Sequence, residues 1–496
     1  MRRLCRRARH LRIKSFSSGD NKILRLNGAH VDASQPETFS ALFSPASFSE
    51  VFASRFARAR SKGIDRLSGF QFAQRSGVAL TVASYKCSNG SFRFSPYLEA
   101  LKLKGRGKAP RVVGIPTVRD RVVLHQLNAF LKAVFPECIP ANIANGYVRQ
   151  IAADIPSRSP TETFVYGGDI KNFYDAIPRD RMVAVLEKRV KVPAALDLIR
   201  RAIATPTVTK NSSRSRRSAA GPARGVPQGL SISNLLAAIY LHSVDADMRR
   251  AFNVSYFRYV DDILIYGARN DVEQAKASLK ARLQRRGLSL HAAGSGKAHF
   301  AALEDPFGYL GYLFNSPTIT VRESTVERLL QSLSAQFSSF SHNKDRRLEK
   351  HAYLNLDRLK EIFLLELNDR ITGAISENQR FGWIAFFSQI NDLTLLHRLD
   401  NAVSAMFERL PEFDRLSPIG LKRFARAFFE IKFRPDGGYV RNYDANDTPV
   451  RMLQFLVQRG RVAPTEMLTD QQIASRYEAY LARALATMHA DEGFAY

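Results

Sequence analysis

The sequence predicts an α+β fold, with a sheet in the middle of the chain and helices towards its C-terminal end. Strand-like runs rich in Tyr, Phe, Val and Ile flank the pair Asp261 and Asp262. A further such run, Thr163–Asp169, ends at a third carboxylate. From Thr320 onward apolar residues instead recur every three or four positions, as in amphipathic helices. With 496 residues and 45% hydrophobic content, the chain can bury about two to four structural units.

The charge of the chain indicates a polyanionic partner. Lys and Arg total 74 against 46 Asp and Glu, which gives a formal net charge of +28. An excess of this size repels itself in a compact state and is typical of proteins that contact phosphate groups. A basic surface kept only for solubility is the alternative, but the composition favours nucleic acid as the partner.

Cysteine use and hydropathy predict a soluble protein of a reducing compartment. Cys5, Cys87 and Cys138 lie far apart, so neither a disulfide framework nor a paired-cysteine zinc site is available. No apolar run approaches the roughly 20 residues that span a bilayer. We therefore expect a cytoplasmic location without membrane association. Met1–Ser18 is rich in Arg and free of acids, which favours a basic arm along nucleic acid over a mitochondrial transit peptide.

The paired carboxylates predict a cation site. Adjacent Asp261 and Asp262 repel each other, and burial beside strands is costly unless a cation or another partner compensates. Because neighbouring strands of one sheet bring distant segments together, Asp169 can point at the same place. A solvated Asp-Asp turn is the alternative.

Two basic loops lie on either side of the strand that ends at Asp169. In Arg93–Phe130 a basic loop with two glycines precedes an apolar strand and a helix. The segment Thr205–Gly225 lacks apolar periodicity and is dense in Ser, Ala, Gly and Arg. Its candidate contacts for an RNA backbone are Arg214, Arg216 and Arg217. Ordinary solvated loops are the alternative for both segments.

The C-terminal part is predicted to be mainly helical. Apolar spacing predicts helices over Leu359–Ile371 and Phe381–Leu396. The extension Pro411–Tyr496 contains helical stretches but no motif for a second chemistry that we recognise. Within it, Leu421–Pro435 (LKRFARAFFEIKFRP) is basic and aromatic, which suits either nucleic-acid contact or an oligomer surface.

Several segments resemble the sequence motifs of reverse transcriptases. They are Thr163–Ile177 (TFVYGGDIKNFYDAI) for motif A, Gly225–Leu241 (GVPQGLSISNLLAAIYL) for motif B, Tyr259–Asp262 (YVDD) for motif C, Gly287–Phe300 for motif D and Phe307–Phe314 for motif E. They stand in the order that the family keeps, so the chain resembles a prokaryotic reverse transcriptase. The resemblance implies a right-hand polymerase fold whose palm is an antiparallel sheet that carries the catalytic aspartates.

The resemblance also implies how the chain is divided. The expected segments are a basic N-terminal arm at 1–45, fingers at 46–162, a palm at 163–316, a helical thumb at 317–410 and a mainly helical extension at 411–496. The implied activity is RNA-directed DNA polymerisation from dNTPs.

Two Mg²⁺ ions are the cofactor that this activity implies, with Mn²⁺ as the alternative metal. Asp169 and Asp261 would bridge both ions and Asp262 would support them. The backbone carbonyl of Ile170 would complete the site on the nucleotide side. Lys297 would act as the general acid near the pyrophosphate leaving group.

Further roles are implied for residues around the incoming nucleotide. Lys104 and Arg111 would touch its triphosphate. The ring of Tyr174 would leave no room for a 2′-hydroxyl. Gln228 would pack against the incoming nucleotide and the template, and Gly229 would let the backbone approach a base pair at the nucleotide site. The primer grip would comprise Tyr309, Leu310 and Gly311.

Within the family the chain is most similar to the defence-associated enzymes of bacteria, the unknown-group or abortive-infection-related reverse transcriptases. Ile371-Thr372-Gly373 stands where retron enzymes carry Val-Thr-Gly, and the endonuclease region of intron enzymes is not recognisable. The resemblance implies antiphage defence through cDNA synthesis on a dedicated noncoding RNA, in some relatives by a homo-oligomer. A group II intron-like or retron-like enzyme, an RNA-dependent RNA polymerase and a non-catalytic RNA-binding or maturase protein are the alternatives.

Overall fold

The architecture is that of a computed structural model of the 496-residue chain. The structure describes residues 34–102, 110–140, 143–213, 215, 223–292, 294 and 296–493. Some predicted site residues lie outside the described residues, namely Lys104, Arg214, Arg216 and Arg217. Most of the predicted N-terminal arm lies outside them as well, since only residues 34–45 of it are described.

The first part of the chain is mainly helical and contains one pair of strands. Its elements are α1 (Gln35–Leu42), α2 (Pro45–Val51), α3 (Gly69–Ala73), α4 (Ser76–Ser88), β1 (Tyr97–Lys102), β2 (Arg111–Ile115), α5 (Val118–Val134) and α6 (Ala144–Asp154). Strands β1 and β2 pair antiparallel. Helix α5 begins where the Thr117 hydroxyl accepts the backbone N–H of Asp120, which satisfies one of the free donors of the first turn. The predicted strand and helix within Arg93–Phe130 are therefore confirmed.

The middle of the chain builds a four-stranded antiparallel sheet in the order β5-β6-β3-β7. The elements are β3 (Thr163–Asp169), α7 (Phe173–Ala176), α8 (Arg179–Glu187), α9 (Pro193–Ala204), β4 (Thr207–Val208), α10 (Ser233–Ala251), β5 (Val254–Tyr259), β6 (Asp262–Ala268), α11 (Arg269–Arg285) and β7 (His299–Ala302). Strand β4 pairs with β1 instead, in parallel. The predicted strand that ends at Asp169 and the predicted hairpin around Asp261 are both present.

Both faces of this sheet are buried, and the residues of β6 divide between them. Ile263 and Ile265 pack into the core that includes α10 and α11. Leu264 and Tyr266 pack into a second core, formed with the C-terminal part of the chain. Since side chains alternate along a strand, one short apolar strand holds two cores together. The position of the strand end that carries the carboxylates is thereby fixed from both sides.

The C-terminal part combines helices with two small sheets. Its elements are β8 (Phe307–Tyr309), β9 (Tyr312–Asn315), β10 (Thr318–Val321), α12 (Glu323–Lys350), α13 (Leu356–Thr372), β11 (Ala374–Ser376), β12 (Gln379–Phe381), α14 (Trp383–Phe386), α15 (Leu393–Met406), α16 (Phe424–Phe433), β13 (Arg441–Asn442), α17 (Pro449–Gln458) and α18 (Asp470–Glu492). The sheets have the orders β10-β9-β8 and β12-β11-β13. Among the helices of the described residues, none has both the length and the apolar character that a membrane span requires.

One predicted element is wrong. Phe381–Leu396 was expected to form a helix, but the structure places the end of β12, the short helix α14, a connection and the start of α15 there. The helical part of the chain is interrupted directly after α13, at Gly373, and the β11–β12 hairpin that follows extends to Phe381. Gly373 has a φ of +68°, and a Cβ there would lie 2.2 Å from the carbonyl oxygen of Phe381. Only glycine fits this left-handed, crowded position, so the chain leaves α13 and forms the β11–β12 hairpin. The helix predicted over Leu359–Ile371 is confirmed as part of α13.

The C-terminal extension is joined to the helices before it. Strand β13 pairs in parallel with β11. One hydrophobic cluster runs from the β8–β9 hairpin through α12 and α13 to Phe428 in α16, across the predicted limit between 410 and 411. A smaller cluster holds α17 and α18 together. The predicted limits of the segments stay predictions, but these two segments share a core.

Candidate active site

Three carboxylates meet at one end of the central sheet. Asp169, the last residue of β3, lies opposite Asp262, the first residue of β6. Asp261 precedes Asp262 in the turn between β5 and β6, and its carbonyl oxygen accepts the backbone N–H of Ile170 at 3.1 Å. The sheet thus brings together residues that are far apart in the sequence, as the strand pattern predicts. Their role as metal ligands stays a prediction.

Negative charge accumulates at this place. Burial, and after it the charges of the neighbouring Asp262 and Asp169, raise the pKa of Asp261 from 3.8 to about 6, while Arg111 opposes the shift. A carboxyl group that holds its proton this tightly lacks sufficient counter-charge. The site therefore suits a cation.

Lys297 and His291 lie against Asp169. The Lys297 ammonium is 3.1 Å from Asp169 Oδ2, and His291 Nε2 is 3.6 Å from Asp169 Oδ1. The backbone N–H of His291 also donates to the carbonyl oxygen of Asp169 at 3.0 Å. The candidate ligand oxygens of the three aspartates do not all lie within 4.8 Å of one another. In this structure the ammonium of Lys297 supplies the counter-charge of Asp169.

The turn that carries Asp261 is held from behind. Val260 has a φ of 56°, a left-handed conformation that strains a β-branched residue. Its carbonyl oxygen accepts a hydrogen bond from Arg258 Nη1 at 2.7 Å. The same guanidinium binds both carboxylate oxygens of Asp245 in α10, at 2.8 and 2.5 Å, and both side chains are 9% exposed. A buried ion pair on α10 therefore stabilises the conformation of the acidic turn.

Tyr174 lies between the acidic turn and α10. Its hydroxyl donates to Asn234 Oδ1 at 2.6 Å, and its carbonyl oxygen accepts the N–H of Val226 at 2.9 Å. Burial raises the pKa of the Tyr174 phenol, and the charge of Asp261 raises it further. The two hydrogen bonds thus fix Tyr174 against Asn234 and Val226, and its predicted role against a nucleotide sugar stays a prediction.

The turn before α10 packs on strand β2. The N–H of Gly114 donates to the carbonyl oxygen of Gln228 at 2.8 Å. Gly229 has a φ of +97°, and a Cβ there would lie 2.5 Å from Val113 Cγ1 and 2.8 Å from the Gly114 oxygen. Gly229 is therefore required for a close approach to β2, which the sequence did not indicate. The predicted contacts of Gln228 and Gly229 with nucleotide and template stay predictions.

The β8–β9 hairpin approaches the site from the other side of the sheet. It turns through Leu310 and Gly311, with φ values of 47° and 82°, which is the pattern of a type I′ turn. Tyr309 is buried, and its hydroxyl has no hydrogen-bond partner among the described residues. Burial raises the pKa of this phenol, and Asp262 raises it further. The predicted primer grip thus lies near the acidic turn, with its role untested.

Sequence reasoning missed several residues that shape the site. They are Asn234, Arg258, Asp245 and His291. Each is defined by a partner on another element. Asn234 and His291 lie inside the segments that resemble motifs B and D, but sequence reasoning gave neither residue a role. Arg258 directly precedes the YVDD tetrad in the sequence, which is the only local signal that could have drawn attention to it.

Comparison with known proteins gives a family match to this part of the chain and similarities to individual proteins. Residues 103–314 match the family described as reverse transcriptase (RNA-dependent DNA polymerase). An uncharacterized 91 kDa protein in the cob intron of Schizosaccharomyces pombe is 30% identical over 163 residues, which are 31% of this chain and 19% of that protein. The Gag-Pro-Pol polyprotein of Simian retrovirus SRV-2 is 33% identical over 112 residues, 22% of this chain and 6% of the polyprotein. The matches thus span at most 19% of either relative's length.

A solved structure was also found. Apo telomerase from Candida tropicalis, truncated from its C-terminal domain, superimposes with a TM-score of 0.35 at 14% identity, over 52% of this chain and 61% of that chain.

The family match includes β3, the β5–β6 hairpin and most of the β8–β9 hairpin, and with them all three aspartates. Residues 103–314 of the chain therefore contain a reverse transcriptase domain.

Proposed function

We propose that the protein is an RNA-directed DNA polymerase that extends a primer with dNTPs on an RNA template. The observation that carries this proposal is the meeting of Asp169, Asp261 and Asp262 at one strand end, inside the segment that matches reverse transcriptases. A palm at 163–316, between fingers at 46–162 and a thumb at 317–410, is the division that we propose for the polymerase.

A divalent cation fits the donor set of the site. Carboxylate and backbone carbonyl oxygens are the ligands that Mg²⁺ and Mn²⁺ prefer. The raised pKa of Asp261 reflects burial first and the neighbouring negative charge second, and a bound cation would offset both. Asp169 and Asp261 would hold the ions, with Asp262 and the carbonyl of Ile170 in support. Two bound ions would supply activation of the primer 3′-oxygen and neutralisation of phosphate charge.

The chain's own residues would bind and orient the nucleotide. Arg111, whose charge reaches Asp261, suits the triphosphate. Tyr174 would lie against the sugar, held by Asn234. Lys297, beside Asp169, would donate a proton to the pyrophosphate oxygen that leaves. Tyr309, Leu310 and Gly311 would contact the primer.

Primer extension by the purified full chain tests the proposal. On an RNA template with a DNA primer, we expect incorporation of dNTPs in preference to rNTPs. Asp261→Asn should lower the rate at least about 100-fold, because loss of even a supporting residue around a metal costs about 10- to 100-fold. Asp357→Asn is the control, since its side chain is 87% exposed on α13. A wild-type chain that extends no primer would leave only an RNA-binding or maturase role.

For the biological role we propose antiphage defence in bacteria, with a dedicated noncoding RNA as template or scaffold. The resemblance of the motifs to defence-associated enzymes supports this role. An intron-encoded enzyme is the second candidate, and it is favoured by the similarity to the protein in the cob intron. Sequencing of the RNA that copurifies with the chain separates the two, since a short noncoding RNA supports the first and the chain's own host intron supports the second.

A further inference from the structure

Helix α16 exposes an aromatic and cationic stripe that no part of the proposed polymerase site uses. Its buried face, with Phe424, Ala427 and Phe428, packs into the C-terminal core. On the other face Phe429 and Phe433 are 47% and 62% exposed, with ring centroids 5.8 Å apart and planes inclined by 31°. Large apolar side chains grouped in this way mark interaction sites rather than ordinary surface.

Exposed apolar side chains also occur in the connection before α16, and one of them, Ile419, lines the same cavity as Phe429. Ile419 is fully exposed and Leu416 is 71% exposed. Arg426 lies three and seven positions before Phe429 and Phe433, on the same side of the helix. We define these five residues, Leu416, Ile419, Arg426, Phe429 and Phe433, as the α16 surface.

A cavity of about 620 Å³ adjoins this surface and is basic. Three strongly cationic side chains line it, Lys422, Arg423 and Arg426. Asp400 is the acidic residue of the lining, and its carboxylate accepts the backbone N–H groups of Phe424 and Ala425 at the start of α16, at 2.6 and 3.3 Å. The negative charge of Asp400 is thus directed to the helix end, and the cavity has an excess of positive charge.

Tyr439 holds these cations in place. The Arg426 guanidinium lies 4.4 Å and the Lys422 ammonium 4.8 Å from the centre of its ring. The hydroxyl of Tyr439 accepts the backbone N–H of Arg423 at 2.7 Å. The cation–π contacts fix the charges of Lys422 and Arg426 before any ligand arrives, and the hydrogen bond fixes the backbone at Arg423.

We propose that the α16 surface and its cavity bind a single-stranded nucleic-acid segment. Exposed rings stack on unpaired bases, whereas a duplex hides its bases, and neighbouring cations pair with the phosphates. A second copy fits poorly because the chain carries +28. Residues 1–33 are themselves rich in Lys and Arg and do not complement the surface. The proposal goes beyond the polymerase activity and does not depend on it.

Photo-crosslinking tests the site with the full chain. A 4-thiouridine-labelled 15-nucleotide RNA without secondary structure is irradiated with the protein, and the modified peptides are identified by mass spectrometry. We expect crosslinks within residues 416–433, and at least about tenfold less of them in Phe429→Ala/Phe433→Ala, because stacking on the two rings together contributes that much or more to affinity. Phe429→Tyr/Phe433→Tyr, which keeps the rings, should retain them.

Matched controls come from exposed apolar residues elsewhere. Val450→Ala and Met467→Ala, at 65% and 95% exposed positions, should leave the crosslinks at residues 416–433 unchanged. Equal labelling in the Phe429→Ala/Phe433→Ala variant, or labelling elsewhere only, overturns the proposal. A dimer that this variant converts to monomer on size exclusion overturns it as well, in favour of a second copy as the occupant.

Primer extension separates the two proposals of this protein. The alanine variant should extend a preformed primer–template normally, since its changes lie on α16 and not at the three aspartates. Crosslinks without extension would refute the polymerase and keep the α16 surface. Extension without crosslinks at residues 416–433 would support the polymerase and refute binding at the α16 surface.

Discussion

Asp261 connects the acidity of the site to the stability of the fold. Its pKa rises from 3.8 to about 6 through burial and the two neighbouring carboxylates. The folded chain therefore holds this proton more tightly than the unfolded chain, and protonation stabilises the fold. This contribution is fully present below about pH 3.8 and is lost as the pH rises through about 6.

We predict that in EDTA the wild type loses stability relative to Asp261→Asn as the pH rises from 4.5 to 7.5, because the amide does not ionise. Urea unfolding at both values measures the difference in the free energy of unfolding. Asp357→Asn, an exposed carboxylate, serves as the control and should show no such trend. An unchanged difference between wild type and Asp261→Asn would contradict the assigned environment.

Tyr174 is the residue that we expect to select the sugar. Tyr174→Ala should raise the ratio of kcat/KM for rNTPs to that for dNTPs about 10- to 100-fold, since the space left by the ring admits a 2′-hydroxyl. Tyr174→Phe keeps the ring and loses only the hydrogen bond to Asn234, so it should keep the selectivity. Unchanged selectivity in Tyr174→Ala would remove the assignment.

Residue types that carry chemistry could be predicted, whereas their partners could not. Asp169, Asp261 and Asp262 are signalled by the strand-like runs around them. Asn234 is 60 residues from Tyr174, and only the packing of α10 on the turn brings the two together. Lys297 and Asp169 are 128 residues apart in the sequence. Sequence reasoning therefore assigned Lys297 as the general acid for the leaving group and missed its ion pair with Asp169.

At the scale of the element, the β5–β6 hairpin depends on α10. We predict that Arg258→Gln raises the Mg²⁺ concentration needed for half-maximal extension at least about tenfold, because the Val260 carbonyl loses its donor and the turn relaxes. The variant should also unfold more easily, since Asp245 is left buried without the positive charge of Arg258, although the Tyr256 hydroxyl still donates to it.

A second variant separates position from stability. Arg258→Gln/Asp245→Asn removes the buried charge as well, so it should regain stability while the higher Mg²⁺ requirement remains. The control is Arg250→Gln. Arg250 lies in α10, as Asp245 does, and its side chain is 78% exposed. If stability and the Mg²⁺ requirement recover together, Arg258 only supports the fold.

Helices and strands could be predicted where the same apolar periodicity extends over the whole element. The hairpin around Asp261 and most of α13 follow that rule. The β11–β12 hairpin does not, because its strands have three residues each and α14 follows directly. The apolar spacing of Phe381–Leu396 therefore resembles a helix although it is divided between short elements, of which Phe381 packs against a different cluster from the residues that follow it.

At the scale of the whole molecule, a buried ion pair joins helix α18 to helix α13. Arg370 in α13 binds Asp491 in α18 through Nε at 3.0 Å and Nη2 at 2.7 Å. The same guanidinium donates to Ser332 and Gln336 in α12. The two charged side chains are only 10% and 2% exposed. A change in α18 therefore reaches α12 and α13.

We predict that Asp491→Ala lowers the free energy of unfolding by about 3 to 5 kcal/mol, the usual cost when one partner of a buried ion pair is removed. Urea unfolding measures the change. The control is Asp447→Ala, which removes the partner of Arg451 in an exposed pair, at 58% and 63% exposure, and should cost about 1 kcal/mol or less. Because Arg370 is left charged and buried in Asp491→Ala, Arg370→Met/Asp491→Leu should recover most of the loss. An equal loss in the double variant would mean that the geometry of the bridge, rather than the unpaired charge, holds α18 in place.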